Sequence, residues 1–222
     1  MGGKLLLGSR RYSSWSLRGW LAVRLAGLDV EEEVIPLKGK GQTVEIHKRS
    51  PNRLVPYLEH DGAHIWESLA IGLYCAEFCP ALLPQERKAR AHALSISAQM
   101  HAGFRHLRQL CPMDIGRSPA FPETLSDEEK ENLKTDLTLL GDVILKALLR
   151  DGSPSYYLFG SEFGIVEAMY GPVMLRIKQY KLEPFLPSEV NKWVERGLSH
   201  PLMQEWVAKA EAEPDEWRLS YT

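Results

Sequence analysis

A run near the N-terminus, Tyr12-Ser13-Ser14-Trp15-Ser16-Leu17-Arg18, sets three serines at the start of a helical apolar pattern. The first residues of a helix leave backbone N–H groups unpaired and carry partial positive charge, so this position favours an anion. A serine hydroxyl placed there can donate to a bound thiolate. A hydrogen bond to a charged group contributes about 1.5–3 kcal/mol, and one pKa unit corresponds to about 1.4 kcal/mol. One such bond would lower a thiol pKa near 8.5 by about one to two units and ionise much of it at neutral pH. A serine that only caps its helix leaves the same trace in the sequence.

Two further segments carry recognition chemistry. In Arg53-Leu54-Val55-Pro56 the proline stands just before a strand pattern. It is either strand punctuation or a cis-proline that turns the Val55 backbone outward, where an extended peptide can pair with it as an added strand. In Trp66-Glu67-Ser68-Leu69-Ala70-Ile71 a hairpin runs into a helix. Ser68 and its neighbouring amides suit a carboxylate at that helix start, and Glu67 suits an ammonium. Together they fit an α-amino acid head group, although Glu-Ser is also an ordinary helix start.

These segments must be held by particular elements. Residues 4–7 read as a strand and 13–26 as a helix with Leu17, Trp20, Leu21 and Leu25 on one face and Gly27 as its stop. Residues 30–35 read as a second strand ended by Pro36, and 39–50 as an irregular polar stretch with room for one short helix. Asp61-Gly62 between 57–59 and 63–66 marks a hairpin, and a helix follows over 67–78. The order is β-α-β, a variable segment, β-hairpin, α. After the linker-like 80–85 only helices are required: 89–110, one opened by the capping box Ser126-Asp-Glu-Glu129, then 165–180, 187–196 and 202–211. Residues 116–125 form the loop between the two long helices. We therefore expect an α/β domain over 1–79 and an all-α domain over 88–222.

The bulk properties narrow the partners. A net charge of −2 gives no reason to expect nucleic acid. No run of about 18 apolar residues is present, so no membrane-spanning helix is expected. Cys75, Cys79 and Cys111 are too few and too unevenly spaced for a disulfide framework and fit a reducing, cytoplasmic compartment. No metal site is expected, since Cys75 and Cys79 have no further ligand pair near them.

The ordered set Ser-x-x-Ser-x-Arg, Val-Pro, Glu-Ser-Leu-Ala-Ile resembles that of a cytosolic glutathione transferase. The N-terminal half is similar to the thioredoxin-like domain of that family. Ser13 and Ser16 stand where thioredoxin-like relatives carry the two cysteines of Cys-x-x-Cys. Zeta-class transferases read Ser-Ser-Cys-Ser-x-Arg here, tau-class ones Ser-Pro-Phe-Ser-x-Arg, and omega-class ones begin with Cys. Counting back five residues from Arg18 puts the reactive position on Ser13, with Ser14 next to it. The resemblance extends to Phe159-Gly-Ser-Glu-Phe-Gly-Ile-Val-Glu-Ala, where Gly164 and Glu167 replace the usual hydroxyl residue and Asp that cap a helix.

The resemblance implies a thioredoxin-like domain joined to an all-α domain, glutathione as substrate, a small-molecule electrophile as cosubstrate, and a homodimer. It implies Ser13 and Ser14 as catalytic residues and Trp15, Leu54, Val55, Pro56, Glu67 and Ser68 as glutathione contacts. The glycine carboxylate of glutathione needs a cation. Lys38, Lys40, His47 and Arg53 are candidates, with Lys40 preferred. Ser97, His101, Phe104 and Arg108 recur at steps of four, three and four on the expected helix 89–110. With Tyr12, the last three are assigned to the cosubstrate pocket, and Arg176 is a further candidate for an anion contact. A solvated helix face explains the same spacing. Trp15 departs from the zeta pattern and argues against simple transfer of maleylacetoacetate isomerisation. The rival functions are a zeta-like isomerase and a glutathione-binding regulator without catalysis. A disulfide reductase is disfavoured because residue 13 is not Cys.

Overall fold

The computed structural model describes residues 2–39, 43–150, 152 and 155–219. Four strands form one mixed sheet in the order β2-β1-β3-β4, with β1 Gly3–Gly8, β2 Val30–Ile35, β3 Tyr57–His60 and β4 Ala63–Trp66. β1 pairs parallel with β2 through the crossover helix α1 (Ser14–Leu25) and antiparallel with β3, and β3 and β4 close the Asp61-Gly62 hairpin. β1 lies inside the sheet and is buried on both faces. Leu5 and Leu7 pack with Leu17, Trp20 and Leu21 of α1, while Leu6 packs with Ile35, Tyr57 and Ile46 on the opposite face. This is the period-two alternation of a strand. Ile46 belongs to α2 (Val44–Arg49), the short helix within the variable segment.

The remaining helices are α3 (Ser68–Phe78), α4 (Arg87–Ala102), α5 (Arg105–Leu110), α6 (Asp127–Leu148), α7 (Ile165–Gln179), α8 (Ser188–Leu198) and α9 (Pro201–Glu211). This architecture is a thioredoxin-like sheet half with a helical half. α7 is the central rod of the helical half, with Ile165 through Ile177 all buried. α1 is buried nearly all round because it meets β1, α3, α7 and α9 at once; its expected single apolar face widens into a full apolar surface. Gly19 lets the next segment approach α1. A Cβ at this residue would lie 2.7 Å from Cγ of Pro56.

Three details differ from, or refine, the sequence reading. The single helix expected over 89–110 is broken. α4 ends at Ala102, Gly103 is extended, and Phe104 sits in the left-handed region at φ 53°, ψ 47°. The new start is held from another element: Asp136 of α6 accepts the Leu107 N–H at 2.9 Å. The capping box at Ser126 forms as expected, with Ser126 Oγ accepting from Glu129 N–H and Glu129 accepting from Ser126 N–H. At α7 the half of the box that a glycine can make survives. Glu167 accepts the Gly164 N–H at 3.1 Å, and also the Leu158 N–H at 2.8 Å. Trp193 Nε1–H adds a third donor at 3.4 Å. Burial pushes the Glu167 carboxyl above its usual range while these donors pull it down.

The loop between β1 and α1 is tied to the far end of the chain. The Arg10 and Arg11 N–H groups donate to the two carboxylate oxygens of Glu213 at 2.5 and 3.2 Å. The Arg11 guanidinium donates to the Ile115 carbonyl at 2.8 Å, and Trp206 Nε1–H donates to the Arg10 carbonyl at 3.1 Å. Beside this loop, Glu32 accepts from Trp20 Nε1–H at 2.7 Å and from Arg10 at 2.8 Å. Arg24 pairs with both oxygens of Glu205 on α9.

Because Pro56 is rigid and buried against α1, Gly19→Ala should overpack this contact. The expected cost is about 1–3 kcal/mol of stability, read as a lower midpoint in chemical denaturation. An unchanged midpoint would show that the Pro56 segment shifts freely.

Candidate functional site

The β1–α1 loop delivers Ser13 and Ser14 to one wall of a cleft of about 550 Å³ at the junction of the sheet half and the helical half. Ser13 is the N-cap of α1, and its Oγ accepts the Ser16 N–H at 3.2 Å. The cap and the site are therefore the same residue, since Ser13 also lines the cleft. Ser13 Oγ lies 2.8 Å from Ser16 Oγ, which in turn accepts the Gly8 N–H at 2.9 Å. Ser14 lines the same cleft, and its Oγ accepts from Arg176 Nη2 at 3.5 Å.

Positive charge gathers on the helical side. Arg108 of α5 and Arg176 of α7 line the cleft. Arg176 is buried and donates to the Cys111 and Pro172 carbonyls at 2.8 and 3.2 Å. Behind Trp15 lies Arg18, 1% exposed, with no hydrogen-bond partner on any of its three nitrogens. Burial, then the Arg176 and Arg108 charges, depress Arg18 to about 9, and burial depresses Arg176 to about 10. Both still carry charge at neutral pH. Among the described residues none of these three arginines forms an ion pair, although the Asp136 charge partly offsets burial at Arg108.

Trp15 divides this cleft from a second one of about 280 Å³, lined by Asn52, Leu54, Val55, Pro56, Glu67 and His101. The Arg18 and Arg108 guanidiniums lie 4.4 and 5.4 Å from the centre of the Trp15 ring system, within cation–π range. The Val55–Pro56 bond is cis, as the outward-facing reading of Val55 requires. Glu67 adopts φ 70°, ψ 124°, a left-handed φ that a side chain rarely takes. Its Oε1 accepts from Asn52 Nδ2 at 3.3 Å. Ser68, the first residue of α3, is 1% exposed, and its Oγ is buried without a partner. A polar atom so placed is expensive unless a ligand satisfies it.

The expected site residues thus separate into two clefts and a core position. Tyr12, Ser13, Ser14, Leu54, Val55 and Arg108 meet in the first cleft; Pro56 and Glu67 border the second, and Trp15, Leu54 and Val55 border both. His101 does not share the first cleft with Arg108. It faces Glu67 across the second, with Nε2 3.6 Å from Glu67 Oε2. Burial holds its pKa below the usual histidine range against the opposing Glu67 charge. Phe104 is corrected from cosubstrate wall to core. The break at Gly103 turns it inward, where it is 4% exposed and its ring centre lies 6.4 Å from that of Tyr170. Lys40 lies outside the described residues. His47 and Arg53, the other cations considered beside Lys38, line the first cleft. Leu219 also lines it, with its N–H donating to the Tyr12 hydroxyl at 3.0 Å. No pattern in the sequence marks Leu219.

Comparison with known proteins decides the family. Residues 12–77 match the model of the glutathione S-transferase N-terminal domain. Glutathione S-transferase 1 of Dianthus caryophyllus is 30% identical over 175 residues, 78% of this chain and 76% of the relative. The chain belongs to the glutathione S-transferase family. Maleylacetoacetate isomerase of Mus musculus is 28% identical over 188 residues, 82% of each chain. A Burkholderia glutathione transferase homologue solved with bound glutathione superposes with a TM-score of 0.69 at 24% identity, covering 96% of this chain and all of the other.

Within this family fold, the unpartnered Ser68 hydroxyl lies at the start of α3, a different helix from the one that Ser13 caps. Ser68→Ala is expected to raise KM for glutathione about tenfold with kcat little changed, the sign of lost uniform binding. Steady-state kinetics with glutathione as the varied substrate check it. A wild-type KM would remove Ser68 from the site.

Proposed function

We propose that this glutathione transferase lowers the pKa of the glutathione thiol at Ser13 and directs the thiolate to an anionic electrophile held by Arg108 and Arg176. When bound, glutathione supplies a nucleophilic sulfur. The residues of this chain do the rest. Ser13 presents its hydroxyl at the start of α1, where the exposed amides and the helix dipole stabilise negative charge. Glu67 borders the second cleft and Ser68 follows it as the first residue of α3; the pair suits the γ-glutamyl head group, and Val55 offers its backbone to the tripeptide. His47 and Arg53, which line the first cleft, are candidates for the cation that holds the glycine carboxylate.

One observation carries the choice of cosubstrate: Arg108 and Arg176, which form no ion pair with a carboxylate among the described residues, line the same cleft as Ser13 and Ser14. A neutral apolar electrophile would leave both charges unmatched in a half-dry cleft. An electrophile with a carboxylate would pair with them through charge-assisted hydrogen bonds. The name of the mouse relative specifies a substrate of that kind, which supports addition or isomerisation of an unsaturated organic acid as the reaction. Trp15, wedged between the arginines where zeta-class chains have Cys, favours addition. The exposed Trp66, Leu73 and Phe78 on β4 and α3 support a homodimer through that face. Three free cysteines support a cytoplasmic location.

Two measurements test the reading. Ser13→Ala should raise the pKa of bound glutathione by about one to two units, followed by thiolate absorbance against pH; a shift in Ser14→Ala alone would move the role to Ser14. Arg108→Gln should cut the preference for an electrophilic acid over its methyl ester by about tenfold in kcat/KM. Equal turnover of acid and ester by the wild type would contradict the anionic cosubstrate, and retention of glutathione with no turnover of either would favour a binding role.

A further inference from the structure

Ser16 makes no contact with either cleft. It is completely buried and lines neither of them. Its hydroxyl nevertheless sits in a chain of three groups. The Gly8 N–H, at the end of β1, donates to Ser16 Oγ at 2.9 Å, and Ser16 Oγ lies 2.8 Å from Ser13 Oγ. Ser13 Oγ also accepts the Ser16 N–H at 3.2 Å. Each hydroxyl has one proton to place. If Ser13 donates to Ser16, the Ser16 proton, in a fully buried site, has no other acceptor among the described residues. If Ser16 donates to Ser13, the Ser13 proton is free to point into the cleft, and Ser13 accepts two hydrogen bonds while donating one.

We propose that Ser16 is a positioning residue that acts through Ser13: with an anion in the cleft, the hydrogen bonds run from Gly8 N–H to Ser16, from Ser16 to Ser13, and from Ser13 to the sulfur. No proton leaves the serines. The thiol proton goes to solvent, and the chain stabilises the thiolate that remains. Hydrogen bonds in series polarise one another, so each donor upstream strengthens the last bond. Ser16 also holds Ser13 in the rotamer that caps α1, so positioning of the hydroxyl and orientation of its proton come from one contact. The inference rests on Ser13 as the thiolate donor.

The test compares the pKa of bound glutathione in the wild type, Ser16→Ala, Ser13→Ala and the double variant, by thiolate absorbance. Ser16→Ala should raise it by about 0.5 unit, less than Ser13→Ala, and the double variant should match Ser13→Ala alone. A wild-type pKa in Ser16→Ala, with the shift intact in Ser13→Ala, would overturn the role of Ser16 and leave that of Ser13 standing. An additive double variant would overturn it too, because Ser16 would then act without Ser13. No shift in either single variant would reject Ser13 and the chain with it. A second measurement needs no Ser16 substitution. In the wild-type complex the Gly8 amide proton resonance should titrate with the midpoint of the thiol, and in the Ser13→Ala complex that response should vanish. A Gly8 response that survives Ser13→Ala contradicts the chain.

Discussion

Glu213 accepts the backbone N–H groups of Arg10 and Arg11 across more than 200 residues of sequence, and the rest of the site follows from that contact. The loop it holds joins β1 to α1, so its position fixes where α1 begins and where Ser13 stands. A loop of this length has backbone donors that must be satisfied, and at a domain junction water cannot always supply the acceptors. Here the helical half supplies them. The Arg11 side chain adds the Ile115 carbonyl, and Trp206 closes on the Arg10 carbonyl. The proposed thiolate site is built on hydrogen-bond geometry and needs tolerances well below 1 Å, which a loop anchored to only one half would not provide.

The same junction explains the charge distribution. α1 runs through the interior with Arg18 on the side facing α7, and Arg176 of α7 and Arg108 of α5 converge on that region. Burying three guanidiniums near one another is costly, and the two fully buried ones are depressed by burial. Backbone carbonyls satisfy Arg176 but do not neutralise it. The Trp15 ring gives Arg18 and Arg108 a polarisable face in place of a carboxylate. What remains is positive charge beside the Ser13 cleft, with no carboxylate ion pair to these arginines among the described residues.

The parts of this architecture legible in the sequence are those set by local physics. The β1 alternation, the start of α1, the Asp61-Gly62 hairpin, and the capping box at Ser126 all depend on residues within a few positions of one another. Ser13, Ser14, Val55 and the helix start at Ser68 are visible because each stands at an element boundary, where helix starts and turns leave local marks. What the sequence concealed depends on distant partners. The periodicity across Gly103 continues without interruption, yet Asp136, 29 residues beyond Leu107, caps a new helix and turns Phe104 into the core. That break also separates His101 from Arg108, so a face expected to be shared is divided between two clefts by Trp15. The contacts of Glu213 and Leu219 likewise arise only when remote segments meet.

We propose that the amino end of α1, held by the opposite end of the chain, receives the glutathione sulfur at Ser13. The most direct test is a crystal structure of the glutathione complex. In that complex the sulfur is expected within hydrogen-bond distance of Ser13 Oγ, with the tripeptide passing along Val55 and the γ-glutamyl carboxylate on Ser68 Oγ. A sulfur beyond reach of Ser13 and turned toward Arg176, with Ser68 still unpartnered, would contradict it.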